Sequence, residues 1–184
     1  VKDDMFGVSF AELKTLKKRI RQNHPLAVSL WDTGNHDARM LACMIADPKQ
    51  ADREALDKWV NDIDNYILGD QFSNLAAASG FGHSLIEEWT MDDREFVAQV
   101  GWNMIALFAV HRTDLDDLFF IPWISIAVRD IHDRPNRVRH AMNQAVIAIG
   151  CRSENLRTHA VAAAEKIGQV SVDHGETGWK TPDA

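Results

Sequence analysis

Apolar residues recur along this chain at intervals of three and four, the spacing that gives a helix one apolar stripe. Ser9-Phe10-Ala11-Glu12 has the form of a capping box. The stripe Leu13, Leu16 and Ile20 behind it, with Lys14, Lys17, Lys18 and Arg21 outside, predicts a surface helix over about 9 to 22. Pro25 suits the first turn of a short helix reaching Trp31, and Gly34-Asn35 ends it and starts the next, which runs to Asp47-Pro48. A helix over about 52 to 62 turns Leu56, Trp59 and Val60 inward, and another begins near Tyr66 and stops at Gly80-Phe81-Gly82. A short helix follows over about 83 to 90. Asp92, with Glu95 three residues on, reads as the cap of a long helix ending at His111, its core Phe96, Val100, Met104, Leu107 and Phe108. The stretch from Asp114 to Ile131 is helical with a break expected before Pro122, Pro135 sits in the first turn of a helix ending at Gly150, and Ser153 caps the last helix, which runs to Gly168. Only Val170-Ser171-Val172 reads as extended.

About ten helices in antiparallel pairs, joined by short loops marked by Pro and Gly, suggest stacked helix pairs. Phe96-Val97 and Arg137-Val138 are offset by 41 residues, inside the HEAT period of about 40–47. The expected organisation is one helical-repeat domain over 1–168 followed by a polar tail over 169–184.

The helix after Asn65 separates into two chemistries. Leu68, Phe72, Leu75 and Ala76 fall on one side; Tyr66, Asp70, Ser73 and Asn74 fall on the other, with small Ala77 beside them. A carboxylate one turn from a phenol, next to a hydroxyl and an amide, can line a concave site, and the same pattern also describes an ordinary solvated helix face.

Composition narrows the classes. With 184 residues, 46% of them hydrophobic, the chain can bury a substantial core and is neither disordered nor collagen-like. The apolar run Leu118 to Val128 is interrupted by Pro122 and Ser125 and is too short to span a bilayer, and no charged-then-apolar leader opens the sequence, so a soluble cytoplasmic protein is expected. Cys43 and Cys151, far apart and without a Cys-x-x-Cys pair, read as reduced core thiols. The eight histidines form no ligand frame, and His36 with Asp37, or Asp173 with His174 and Glu176, have no matching spacing; neither metal nor cofactor is expected. No nucleophile elbow or phosphate-binding glycine loop occurs. A net charge of -7, from 27 acidic and 20 basic residues, argues against a strongly basic nucleic-acid binder without excluding local basic patches.

Two such patches exist. Lys14, Lys17, Lys18, Arg19 and Arg21 crowd the first helix, while Arg134, Arg137, Arg139 and His140 crowd the start of the penultimate one. The second is the better phosphate site by this reading, because helix N-termini and arginines both favour phosphate; either can also be a plain solvated face. Arg39, set among Ala38, Leu41, Ala42 and Ile45, reads as a structural arginine paired with Asp37, Asp62 or Asp64.

Leu30-Trp31-Asp32-Thr33-Gly34-Asn35-His36-Asp37-Ala38-Arg39-Met40-Leu41, followed by Trp59 and the helix from Tyr66 to Asp70, resembles the AlkD-type DNA alkylation-repair family. The resemblance continues through Phe6-Gly7-Val8, through Pro135-Asn136-Arg137-Val138-Arg139-His140-Ala141-Met142-Asn143, and into Asp173-His174-Gly175-Glu176-Thr177-Gly178, so it covers nearly the whole chain. It implies an all-α, HEAT-like superhelix of antiparallel helix pairs that binds DNA along a concave face. It also implies that Asp70 stands at the family's catalytic carboxylate, which stabilises positive charge developing on deoxyribose. Tyr66 stands where the family's glycosylases have a lesion-stacking tryptophan, Gln144 or its neighbour Asn143 stands at a second tryptophan, and Ala98 or Gln99 stands at an expected basic residue. With Asn74, these make the expected lesion-facing set, and Arg134, Arg137, Arg139, Lys14 and Lys18 the expected phosphate contacts.

Two functions stay open on these grounds. One is a glycosylase excising cationic N3- or N7-alkylpurines; the other is a non-catalytic module for branched or damaged DNA or for a protein partner. By the same resemblance a further N-terminal helical pair is expected upstream of Phe6, and the closing motif is expected to fold back over the repeat surface, the alternative being an unstructured end.

Overall fold

The computed structural model describes residues 5–176, 180–182 and 184, so Thr177 and Gly178 of the closing motif lie outside the described residues. Ten α-helices run through the described residues: α1 (Phe10–Ile20), α2 (His24–Asp32), α3 (His36–Ile45), α4 (Arg53–Asn61), α5 (Tyr66–Ala78), α6 (Gly82–Trp89), α7 (Glu95–His111), α8 (Asp117–Asp130), α9 (Asn136–Gly150) and α10 (Glu154–Ile167). No strand occurs among the described residues, and Val170 to Val172 is irregular. The chain divides into two compact units, residues 1–85 and 86–184.

In the first unit, α3 is the central element and packs against α1, α2 and α5. The expected capping box of α1 forms: Ser9 Oγ accepts the Glu12 amide, and Glu12 Oε2 accepts the Ser9 amide at 2.9 Å. An aromatic cluster fixes α5. The indoles of Trp31 and Trp59 stack with centroids 4.3 Å apart and planes 1° from parallel, and Phe72 tilts against both at 5.9 and 6.4 Å.

Arg39 is structural, and its acidic partner is Asp62. Its Nε donates to the Trp31 carbonyl and its Nη1 to the Asp62 carbonyl, at 3.3 and 3.2 Å, while the guanidinium lies 5.1 Å above the Trp31 ring. Those carbonyls sit at the ends of α2 and α4, where the last turn leaves acceptors without intrahelical donors.

In the second unit, α7 lies along α9, and α10 packs on α8 and α9. The first residues of α7 and α9, Glu95 and Asn136, are 41 apart, matching the offset in the sequence. Gly101 is required by a close approach: a Cβ there would stand 2.6 Å from the Thr90 nitrogen and 2.9 Å from the Trp89 carbonyl carbon. Two arginines repeat the Arg39 device. Arg134 Nη2 donates to the Asp92 carbonyl at 2.6 Å, just past α6, and Arg152 donates to the Ala109, Arg112 and Leu115 carbonyls at the end of α7.

Several expectations change. Asp92 does not cap α7; the cap residue is Arg94, whose side chain and amide are both bonded by the Asp92 carboxylate. Pro122 does not break α8, because the helix passes through it where Leu118, whose carbonyl loses its partner, is exposed and can turn to water. Pro135 precedes α9 rather than joining its first turn. Phe96 and Leu107 are half-buried, while Val97 and Ile105 take their expected place in the core. Cys43 is buried, but Cys151, at the end of α9, is exposed. No helix among the described residues is long and apolar enough to cross a membrane.

Candidate nucleic-acid interface

Asn65 sets the ridge that carries the expected chemistry. Its Oδ1 accepts the Leu68 amide, so α5 begins at Tyr66, and its Nδ2 donates to Asp64 Oδ1 and faces His36 Nδ1 at 3.3 Å. From that start Tyr66, Asp70 and Asn74 follow at successive turns and are exposed, whereas Leu68, Phe72, Leu75 and Ala76 are buried. The two-faced reading of α5 holds except at Ser73. That residue is 1% exposed, and its hydroxyl donates to the Gly69 carbonyl at 2.7 Å, which satisfies it inside the packed face. Asn74 Nδ2 turns to the Asp70 carbonyl at 3.0 Å.

An exposed carboxylate here does little alone. A unit charge 4 Å away gains about 1 kcal/mol in water but about 4 kcal/mol at an effective dielectric near 20. The Asp70 charge therefore acts strongly on a neighbouring charge only where solvent is displaced from α5.

The α1 cations are lightly committed. Lys14, Lys17, Lys18 and Arg19 are all exposed. Among the described residues none of the four is in an ion pair, and Lys14 Nζ rests 4.7 Å over the Phe10 ring.

The α9 cluster is more heavily used than its spacing suggests. Arg134 is spent on the carbonyls beyond α6. The Arg137 amide, one of the free donors of the helix N-terminus, is taken by Glu95 Oε1 at 2.7 Å. A carboxylate of the protein thus sits where a phosphate was expected. In the sequence Glu95 reads only as part of the Asp92 cap, yet the 41-residue offset could have shown this second role, since it sets the first turn of α7 beside the first turn of α9. Arg137, Arg139 and His140 are half-buried.

Gln99 and Asn143 are interior residues, 2% and 1% exposed, and Gln144 is half-buried. The Asn143 Nδ2 donates to the Pro182 carbonyl at 2.9 Å. The described part of the tail does fold back, as expected.

These helix pairs define a HEAT-like helical-repeat protein. A family model described as DNA alkylation repair enzyme matches residues 1–177, and the chain belongs to that family. It is 25% identical over 190 residues to an uncharacterized protein of Listeria innocua, covering 98% of this chain and 80% of that one. A second uncharacterized protein, from Listeria monocytogenes, is 26% identical with the same coverage. Among solved structures, it matches one described as a new family of proteins related to the HEAT-like repeat DNA glycosylases with affinity for branched DNA structures. The TM-score is 0.89 at 26% identity, over 98% of this chain and 78% of that one.

Proposed function

We propose that this chain is a cytoplasmic DNA-binding HEAT-like repeat protein whose ligand is duplex DNA carrying a branch or a lesion. The observation that carries this reading is the row Lys14, Lys17, Lys18 and Arg19, exposed and outside any ion pair among the described residues. Each such cation that meets a phosphate releases a condensed counterion, so a local row binds nucleic acid even on an acidic chain. The similarity to a protein with affinity for branched DNA supports the choice of ligand. The buried free thiol of Cys43 suits a reducing compartment.

Excision of cationic N3- or N7-alkylpurines is the second reading, favoured by Asp70 standing exposed one turn from Tyr66. Binding ranks first because the groups that would hold a lesion are weak. Tyr66 replaces a larger aromatic, Gln144 or Asn143 stands at the position of the second aromatic and Ala98 or Gln99 at that of the cation, and of these Asn143, Ala98 and Gln99 are buried. Each lost stacking or cation contact removes about 1–3 kcal/mol of hold on the base.

The test is fluorescence anisotropy with a labelled four-way junction and a linear duplex of equal length at low salt. Both bind, the junction more tightly, and Lys14→Ala/Lys18→Ala weakens both without changing helix content. Equal affinity in that variant would remove α1 from the interface.

A further inference from the structure

Asp173, His174 and Pro182 of the C-terminal segment return to α9 and meet one stripe of it. Asn136, His140 and Asn143 succeed one another at spacings of four and three, and each meets the C-terminal segment. Asn136 Nδ2 donates to the Asp173 carbonyl at 2.8 Å, and its Oδ1 accepts the Asp173 amide at 2.7 Å. The rings of His140 and His174 meet edge-on at 5.5 Å, and Asn143 Nδ2 holds the Pro182 carbonyl. His174 Nε2 and Thr181 Oγ1, 3.0 Å apart, tie the two contact points to each other. The root of the segment is fixed as well. Gly168 turns the chain off α10 at φ +65°, Val170 is buried, and His132 Nε2 donates to the Ile167 carbonyl at 2.8 Å.

We propose that the C-terminal segment, anchored through Asp173, His174 and Pro182, is a strap over a nucleic-acid-binding stripe of α9, and that a DNA phosphate competes with it. The proposal rests on the DNA-binding reading above. Its first support is chemical. The two asparagine amides hold backbone carbonyl oxygens, the acceptor type that a phosphate oxygen replaces, and Arg137 and Arg139 lie beside the stripe on the same helix. The second is energetic. The bonds from Asn136 and Asn143 to the segment join neutral groups, so each has a lower net worth than the same donor's bond to a charged phosphate oxygen. Being tethered, the strap nonetheless competes at high effective concentration, and the closed fraction lowers apparent DNA affinity in proportion.

The variant that tests this lies on the strap, away from any DNA contact. Asp173→Pro/His174→Ala, made in the full chain, removes the amide held by Asn136 and the ring against His140. Limited proteolysis should cut the tail faster, and affinity for a labelled four-way junction should rise about fivefold or more, the factor equivalent to one net hydrogen bond. A synthetic peptide with the sequence from Gln169 to Ala184, added in trans, should reverse the gain. A tail cut faster with junction affinity unchanged or lower would overturn the strap and leave the DNA reading standing. An unchanged cleavage rate would show that these contacts do not hold the segment and would overturn the strap as well. A chain that binds no DNA in either form would remove both readings.

Discussion

Replacing Arg39 by alanine removes four interactions at once, and the geometry says how much each is worth. Two are charge-assisted hydrogen bonds to the Trp31 and Asp62 carbonyls, one is the ion pair with Asp62 at 3.4 Å, and one is the contact with the Trp31 ring. The Trp31 carbonyl keeps a second donor, the Gly34 amide at 3.1 Å, and the Asp62 carboxylate keeps the Trp31 indole N–H at 2.9 Å. Of the three acceptors, only the Asp62 carbonyl, on a half-buried residue at the end of α4, loses its donor. The Asp62 side chain is also 35% exposed, so water screens the ion pair. The loss is therefore about 2 kcal/mol rather than the 3–5 kcal/mol of a fully buried pair, and the melting temperature read by circular dichroism falls about 4–8 °C. Arg39→Lys keeps the charge and loses the fork, so it recovers less than half of that. An Arg39→Ala protein with unchanged melting temperature and impaired DNA binding would refute the reasoning, because it would place the residue in the interface instead of the core.

Three further outcomes follow from single sites. Asp70→Asn keeps size and removes charge: if methylated duplex DNA releases free base with the native chain, release is confined to cationic purines and disappears in the variant, while DNA affinity holds or improves. Gly101→Ala, which in an open helix would stabilise by up to about 1 kcal/mol, here drives a methyl into backbone at 2.6 Å, so the urea midpoint drops by the equivalent of about 2 kcal/mol or more. Burial raises the Cys43 thiol well above its ordinary range while Cys151 is exposed, so a thiol reagent at neutral pH labels one cysteine in the native protein and both after denaturation; rapid double labelling would contradict the core placement.

The sequence carries the helices because their signals are local. Ser9, Asn35 and Ser153 each accept the amide three residues on, so α1, α3 and α10 start where the pattern puts them, while Asn23, Asp52 and Asn65 cap α2, α4 and α5 in the same way without having been singled out in the pattern. Asp92 misled because its carboxylate is captured by Arg94, two residues away, before it can reach the helix amides. Of the candidate site, the α5 ridge was legible from periodicity alone, since the buried stripe of Leu68, Phe72 and Leu75 leaves Tyr66 and Asp70 outside.

What periodicity could not give was the fate of polar groups held by partners about 40 residues away. Arg134 and Arg152 are drawn to helix-end carbonyls, Glu95 fills the α9 N-terminus, and Asn143 is closed over by Pro182. A basic or amide side chain looks the same in sequence whether it faces a phosphate or a carbonyl, and only the fold decides which acceptor reaches it first.

The measurement that bears most directly on the central claim is the salt dependence of junction binding by the native chain. If Lys14, Lys17, Lys18 and Arg19 each meet a phosphate, the logarithm of the association constant falls linearly with the logarithm of salt concentration, with a slope of about -3.6, or roughly 0.9 per phosphate. Binding that is absent at low salt, or present with a slope near zero, would contradict the account.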